Sequence, residues 1–255
     1  MIPTMTKTPT EFILPNWNAP DSIRALSTTR LGGHSAGPYQ GFNLATHVGD
    51  SPEAVKSNRV ILCETLELSP EPCWLNQTHS TEVAILDSVE NYKVDADAAI
   101  SRVAGMIAVV MTADCLPILI CNAQGDEVAA VHAGWRGLVD GIIPETLKKM
   151  QSNNDQLMAW IGPAISQSCF EIGDEVRDLF LNRFIDAQRR FEQNRPGHWL
   201  CDLPGLAVDQ LNALGVHQVH CSDLCSFGDV RRFYSYRREK RCGRMASLIW
   251  IKSDA

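Results

Sequence analysis

Three side chains in this 255-residue sequence combine the types and settings that metal or nucleophile chemistry needs. Cys115 lies in Val110-Met111-Thr112-Ala113-Asp114-Cys115-Leu116-Pro117, His132 in Val131-His132-Ala133-Gly134-Trp135-Arg136-Gly137, and His79 in Trp74-Leu75-Asn76-Gln77-Thr78-His79-Ser80. The apolar runs 107–111 and 128–131 place Cys115 and His132 where strands end, positions at which a rigid scaffold presents reactive side chains. Two imidazoles and a thiolate are enough to hold a zinc ion and leave a fourth position for water. Zinc there lowers the pKa of that water or acts as a Lewis acid. The separations of the three residues match no zinc-finger spacing and suit a site assembled from separate elements. Without metal, the same Cys and His would form a thiolate–imidazolium pair for covalent hydrolysis; the second histidine favours the metal.

A strand-end cysteine taken alone is usually a small buried hydrophobe, and a lone histidine is usually a hydrogen-bonded structural group. The surroundings argue otherwise. Asp114 is a poor choice for a core strand, Pro117 is not expected to continue a central ladder, and the two glycines around Trp135-Arg136 are expected to let the backbone turn sharply beside an aromatic ring and a fixed cation.

The elements that must position these residues are mostly strands. The pattern predicts strands over 23–29, 82–86, 98–101, 106–111, 116–121, 127–131, 157–161, 216–220, 233–236 and 246–251, several of them solidly apolar, as for strands covered on both faces. Helices are predicted after the Ser51 N-cap with Pro52 at the first position through Leu66, over 138–150 with Pro144 marking a kink or late start, from Gly173 through Phe184, and over 206–214 before the Gly215 stop. No helix pattern falls between residues 82 and 131, which argues against a doubly wound sheet and for an α+β fold with a mixed sheet. No repeat or long linker divides the chain, so a single domain over 1–255 is expected.

Composition narrows the function. The net charge of −7 argues against a nucleic-acid partner. No run reaches 18 apolar residues, so no membrane partner is expected, and residues 1–9 lack a secretory signal pattern, giving an expected cytoplasmic location. The nine cysteines are odd in number and scattered, which reads as free thiols; Cys221 and Cys225 lack the second pair of a structural zinc site. The turn 31–38 is glycine-rich but lacks phosphate-loop spacing. Arg231, Arg232, Arg237, Arg238, Lys240, Arg241 and Arg244 stand against one acid, Glu239. That run reads first as a solvated edge, with a local anion site as the sharper alternative.

The ordered motifs resemble one family over nearly the whole chain: Ser27-Thr28-Thr29-Arg30-Leu31-Gly32-Gly33, Asn43-Leu44, His47-Val48-Gly49-Asp50, Asn58-Arg59, the His79 segment, Ala96-Asp97-Ala98, the Cys115 and His132 segments, Ile161-Gly162-Pro163, Cys169-Phe170-Glu171, Tyr234-Ser235-Tyr236-Arg237-Arg238 and Gly243-Arg244. This is the YfiH-like family, also called the multicopper polyphenol oxidase or laccase-like domain family and, more recently, purine nucleoside phosphorylases. The resemblance implies a single domain with a mixed sheet, related in fold to proteins described as cysteine hydrolases, and a metal, zinc with copper as alternative, on His79, Cys115 and His132. It implies phosphorolysis of adenosine, inosine and methylthioadenosine, and hydrolytic deamination of adenosine. The expected partners are then a small nucleoside and phosphate, with no obligate protein partner. Asn43, Arg59, Gln77, Asp114 and Arg136 are the pocket candidates, Asp114 as a proton shuttle and Arg59 or Arg136 as phosphate clamps; Arg30 is as readily structural. Relatives are also linked to peptidoglycan-precursor editing, an amidase reaction the same site would serve. A multicopper oxidase fares worse, since only three of seven histidines fall in suggestive contexts and a single His₂Cys site suits zinc at least as well. One departure stands out: Arg238-Glu239-Lys240-Arg241-Cys242 replaces the family's usual acid-glycine turn and threonine.

Overall fold

Strands that are apolar on both faces demand cover on both faces, and the chain meets that demand by stacking two mixed sheets. The computed structural model describes residues 10–87 and 94–253, so the signal-peptide reading of residues 1–9 lies outside the described residues. One sheet has five strands in the order β1 (Phe12–Ile13), β2 (Ile23–Thr28), β14 (Met245–Ile251), β6 (Ala108–Thr112) and β3 (Cys73–Trp74), antiparallel except between β3 and β6. The other has six, in the order β13 (Gln218–Cys221), β9 (Leu157–Ile161), β7 (Leu116–Asn122), β8 (Val128–Ala133), β5 (Ala98–Ser101) and β4 (Val83–Leu86), with parallel pairs only at its two edges.

Side-chain alternation then assigns each face. Ala108 and Val110 of β6 share a buried cluster with Leu119 and Cys121 of β7 and Val128 and Ala130 of β8, so this cluster lies between the sheets. Val109 and Met111 point the other way, toward Leu62 of α1 (Pro52–Thr65). Ile118 and Ile120 pack with residues of α2 (Trp135–Asp140), α3 (Ile142–Lys149), α4 (Asp174–Arg183) and α5 (Leu203–Ala213). The molecule is a single α+β domain with mixed sheets packed by helices, as expected, but its strands divide into two stacked sheets rather than one, giving helix, sheet, sheet and helix layers. Among the described residues, no helix is long and apolar enough to cross a membrane.

Local chemistry explains the boundaries. Ser51 Oγ accepts from the Ala54 amide and Pro52 opens α1. The helix expected over 138–150 is two helices, broken at Gly141, whose φ of 105° is left-handed. Pro144 falls in the first turn of α3, where a missing amide costs nothing, so it is not the breaker. The strand expected over 233–236 does not form, residues 233–235 being irregular and 236 opening a turn: the Tyr234 hydroxyl donates to the Tyr39 carbonyl and the Ser235 hydroxyl to Asp114, contacts that override its alternating pattern. A three-stranded ribbon, β10 (Glu171–Gly173), β12 (His198–Cys201) and β11 (Phe191–Arg195), was not foreseen; its strands are short, and Glu192–Arg195 is exposed and polar. Pro117 does lie in a central strand, opposite His132. The amide of His132 donates to the Asp97 carbonyl, away from Pro117, and on the other side the ladder to β9 begins only at Ile118, so the missing proline N–H falls at the end of the pairing.

Candidate metal centre

The two sheets are joined where the chemistry sits. β6 ends in one sheet at Thr112 and β7 begins in the other at Leu116, so Ala113-Asp114-Cys115 is a crossing link. The segment 75–82, carrying His79, crosses the same way between β3 and β4, and His132 is the penultimate residue of β8. The ligand-capable atoms of His79, Cys115 and His132 converge to within 4.8 Å of one another, and the two imidazoles meet edge to face. His79 is exposed, Cys115 half-buried and His132 buried.

Two left-handed residues make this convergence. His79 has φ 61° and Asp114 has φ 90°, conformations that cost a non-glycine residue about 1–3 kcal/mol and persist only when surroundings impose them. Asp97 imposes the first. Its fully buried carboxylate accepts from the amides of Thr78 (3.1 Å), His79 (3.0 Å) and Ser80 (2.6 Å), from the Ser80 hydroxyl (2.8 Å) and from His132 Nδ1 (2.7 Å). Asp114 is held by Ser226 Oγ (2.7 Å), Ser235 Oγ (3.0 Å) and the Arg237 amide (2.6 Å), while its carbonyl accepts from Ile165. Each carboxylate fastens one crossing link.

Gly134 completes the cradle. Its φ of −67° is ordinary, so conformational freedom is not its task, contrary to the sharp turn expected from the sequence. A Cβ at this position would stand 3.0 Å from Cys115 Sγ and 3.0 Å from His79 Cδ2. Glycine is needed for space.

Charge in the cluster is tightly coupled. Burial pushes the Cys115 thiol up, but hydrogen bonding and charge from His132 and His79 win and bring it down to about 6. Burial would lower His132, yet the Asp97 carboxylate and Cys115 raise it to about 9. Burial likewise works against Asp97, whose bonds to His132 and Ser80 hold it at about 2. With Nδ1 donated to Asp97, His132 has Nε2 left for a ligand, the carboxylate–histidine support that metal-binding imidazoles use. The donor set therefore fits zinc, and copper(I) as well. Among the described residues it is the single such cluster.

A cavity of about 230 Å³ opens over the cluster, and Asp114 and Arg136 line it. The structure does not bring Asn43, Arg59 and Gln77 there. Asn43 is buried in a knot with Ala45, Asp50 and Arg244. Arg59 donates to the Leu44 carbonyl and stacks on Trp74, and Gln77 makes a two-way bond with the Met111 backbone. Arg30 lies over the Tyr234 ring. In their place the cavity wall carries Trp135, Phe170, Tyr236, Arg237 and Lys240. The basic segment was the signal for the last two. Asp97 entered the sequence reading only within the Ala96-Asp97-Ala98 motif, with no role assigned to it. Cys242 of the atypical turn is buried beside Phe233 and Tyr234 as packing, and all nine thiols are free.

Known proteins carry the same arrangement of sequence and fold. Residues 24–252 match the family described as multi-copper polyphenol oxidoreductase laccase. A Haemophilus influenzae protein named purine nucleoside phosphorylase is 44% identical over 244 residues, covering 95% of this chain and 100% of the relative. An Escherichia coli protein named purine nucleoside phosphorylase YfiH is 42% identical over 241 residues, covering 94% of this chain and 99% of the relative. The crystal structure of Neisseria meningitidis protein NMB0706 matches with a TM-score of 0.91 at 43% identity, over 95% of this chain and 99% of that one, and a Bacillus licheniformis YfiH structure with a TM-score of 0.87 at 26% identity, over 91% and 94%. The chain belongs to this laccase-like family of YfiH proteins.

Proposed function

We propose that the protein is a zinc-dependent purine nucleoside phosphorylase acting on adenosine, inosine and methylthioadenosine, with hydrolytic deamination of adenosine as a second activity. One observation carries the reading: His79 and Cys115 of the cluster line a cavity together with three aromatic rings, Trp135, Phe170 and Tyr236, and three cations, Arg136, Arg237 and Lys240. Rings offer faces for a purine, and cations offer partners for phosphate. The names of the relatives point the same way.

In phosphorolysis an oxygen of hydrogen phosphate bonds to ribose C1′ while the C1′–N9 bond breaks. The electron pair leaves with the purine, which takes the proton from the hydrogen phosphate, giving ribose 1-phosphate and free base. Zinc held by His79, Cys115 and His132 would supply a Lewis acid beside the reacting sugar. Asp97 keeps the His132 ring fixed, the aromatic wall orients the base, and the cations set the phosphate. Asp114, with its carboxylate occupied by three donors, acts as a positioning residue for Cys115 rather than as a proton shuttle.

The test is conversion of nucleosides by purified, metal-loaded protein with and without phosphate. Inosine is expected to yield hypoxanthine only when phosphate is supplied. Inert nucleosides together with cleavage of a serine-containing muropeptide precursor would replace this reading with the editing amidase.

A further inference from the structure

We propose that Arg136 and Lys240 form the phosphate subsite of this cavity, seating a phosphate-sized dianion beside the His79–Cys115–His132 cluster; the identification of that dianion as the co-substrate rests on the phosphorylase reading.

The basic segment 231–244 divides once its contacts are traced. Arg232 is paired with Asp229 and Glu11. Arg238 donates to the carbonyls of Ser226, Phe227 and Phe233, and its Nε faces Glu239. Arg244 donates to the carbonyls of Cys242 and Gly243. These arginines hold the loop together. Arg237 reaches the cavity, but its guanidinium donates to the Glu171 carbonyl and lies over Phe170. Lys240 reaches the cavity over the Tyr236 ring, 4.9 Å from its centroid, and no acid pairs with it among the described residues.

Arg136 lines the same cavity from a different segment, the helix α2. It stacks 4.3 Å from the Trp135 centroid, likewise with no acid partner among the described residues. It is two residues from Gly134, which abuts Cys115 and His79. Among the described residues, the one carboxylate on the cavity wall, that of Asp114, is already held by Ser226, Ser235 and the Arg237 amide. Two cations without acid partners that line one small, partly apolar cavity repel each other, and an anion bound there removes that cost. The rings keep each cation against its wall and leave its N–H donors for the anion. Placed there, hydrogen phosphate has its charge offset by both residues while one oxygen bonds to C1′, the bond to N9 breaks and its proton passes to the base.

Steady-state phosphorolysis of inosine by wild type, Arg136→Gln, Lys240→Gln and Lys240→Arg tests the assignment, together with calorimetric titration of inorganic phosphate and of inosine 5′-monophosphate into each protein. Each glutamine variant is expected to raise the KM for phosphate roughly tenfold and to weaken phosphate binding in parallel, as for loss of one charge-assisted contact. The KM for inosine and the metal content should stay near wild type, and Lys240→Arg should restore phosphate binding. Unchanged phosphate KM and phosphate binding in both glutamine variants would overturn the subsite. Loss of inosine 5′-monophosphate binding with phosphate binding intact would overturn it too, transferring the two cations to a phosphoryl group on the nucleoside. Weakened phosphate binding in a protein that turns over no nucleoside would leave the subsite standing and remove the phosphorylase reading.

Discussion

Asp97 settles a contest of magnitudes at the His79 turn. A left-handed non-glycine residue costs about 1–3 kcal/mol, whereas hydrogen bonds to a charged group contribute about 1.5–3 kcal/mol each, and Asp97 accepts from three consecutive amides of that turn. The bonds win, and the same carboxylate aims His132. Asp97→Asn keeps the shape but replaces an acceptor oxygen with a donor and removes the charge. It should weaken zinc binding about 10- to 100-fold, the range for lost support of a ligand histidine, as read by competition with a chelating dye. An affinity within twofold of wild type would show that His132 needs no such support. Cys115 and His132 were legible because strand-end positions follow from local apolar runs. Asp97 was not, because a buried acid declares its role only through partners as distant in sequence as His132.

At the scale of elements, the strands and helices that face the core were legible, since alternation and helical spacing record burial directly; β5 and β9 appear with the bounds the pattern predicts. What failed was fixed by tertiary hydrogen bonds. Asn43, Arg59 and Gln77 have the residue types of a pocket, yet their side chains tie loops to backbone carbonyls. Glu127 is the same device in the core: 2% exposed, it accepts from the amides of Gln151 and Ser152 just after α3 and from Arg102 Nε just after β5. Burial works against its charge, but these donors win and lower its pKa. A depressed carboxylate stabilises the fold above its unfolded pKa, and that contribution is lost as pH falls through the folded value. Glu127→Gln should therefore cost about 2 kcal/mol near neutrality, and the gap from wild type should narrow as pH falls below about 4. Denaturant melts across pH measure it; a gap independent of pH would refute the charge-based account.

For the whole molecule, the His79–Cys115–His132 cluster sits where the two crossing links and the end of β8 meet, so an ion bound there would tie one sheet to the other. Metal that binds the folded chain alone stabilises it by mass action, about 2.7 kcal/mol at free metal a hundredfold above Kd. Chelation should lower the Tm accordingly, and Cys115→Ala should abolish the difference between metal-loaded and stripped protein. An equal response in Cys115→Ala would place the stabilising ion elsewhere.

The most direct single measurement is titration of zinc into metal-stripped protein while following hypoxanthine release from inosine in phosphate. Activity is expected to rise linearly, break at one zinc per chain and vanish when phosphate is withheld. Full activity in the stripped protein, or release that ignores phosphate, would contradict zinc-dependent phosphorolysis.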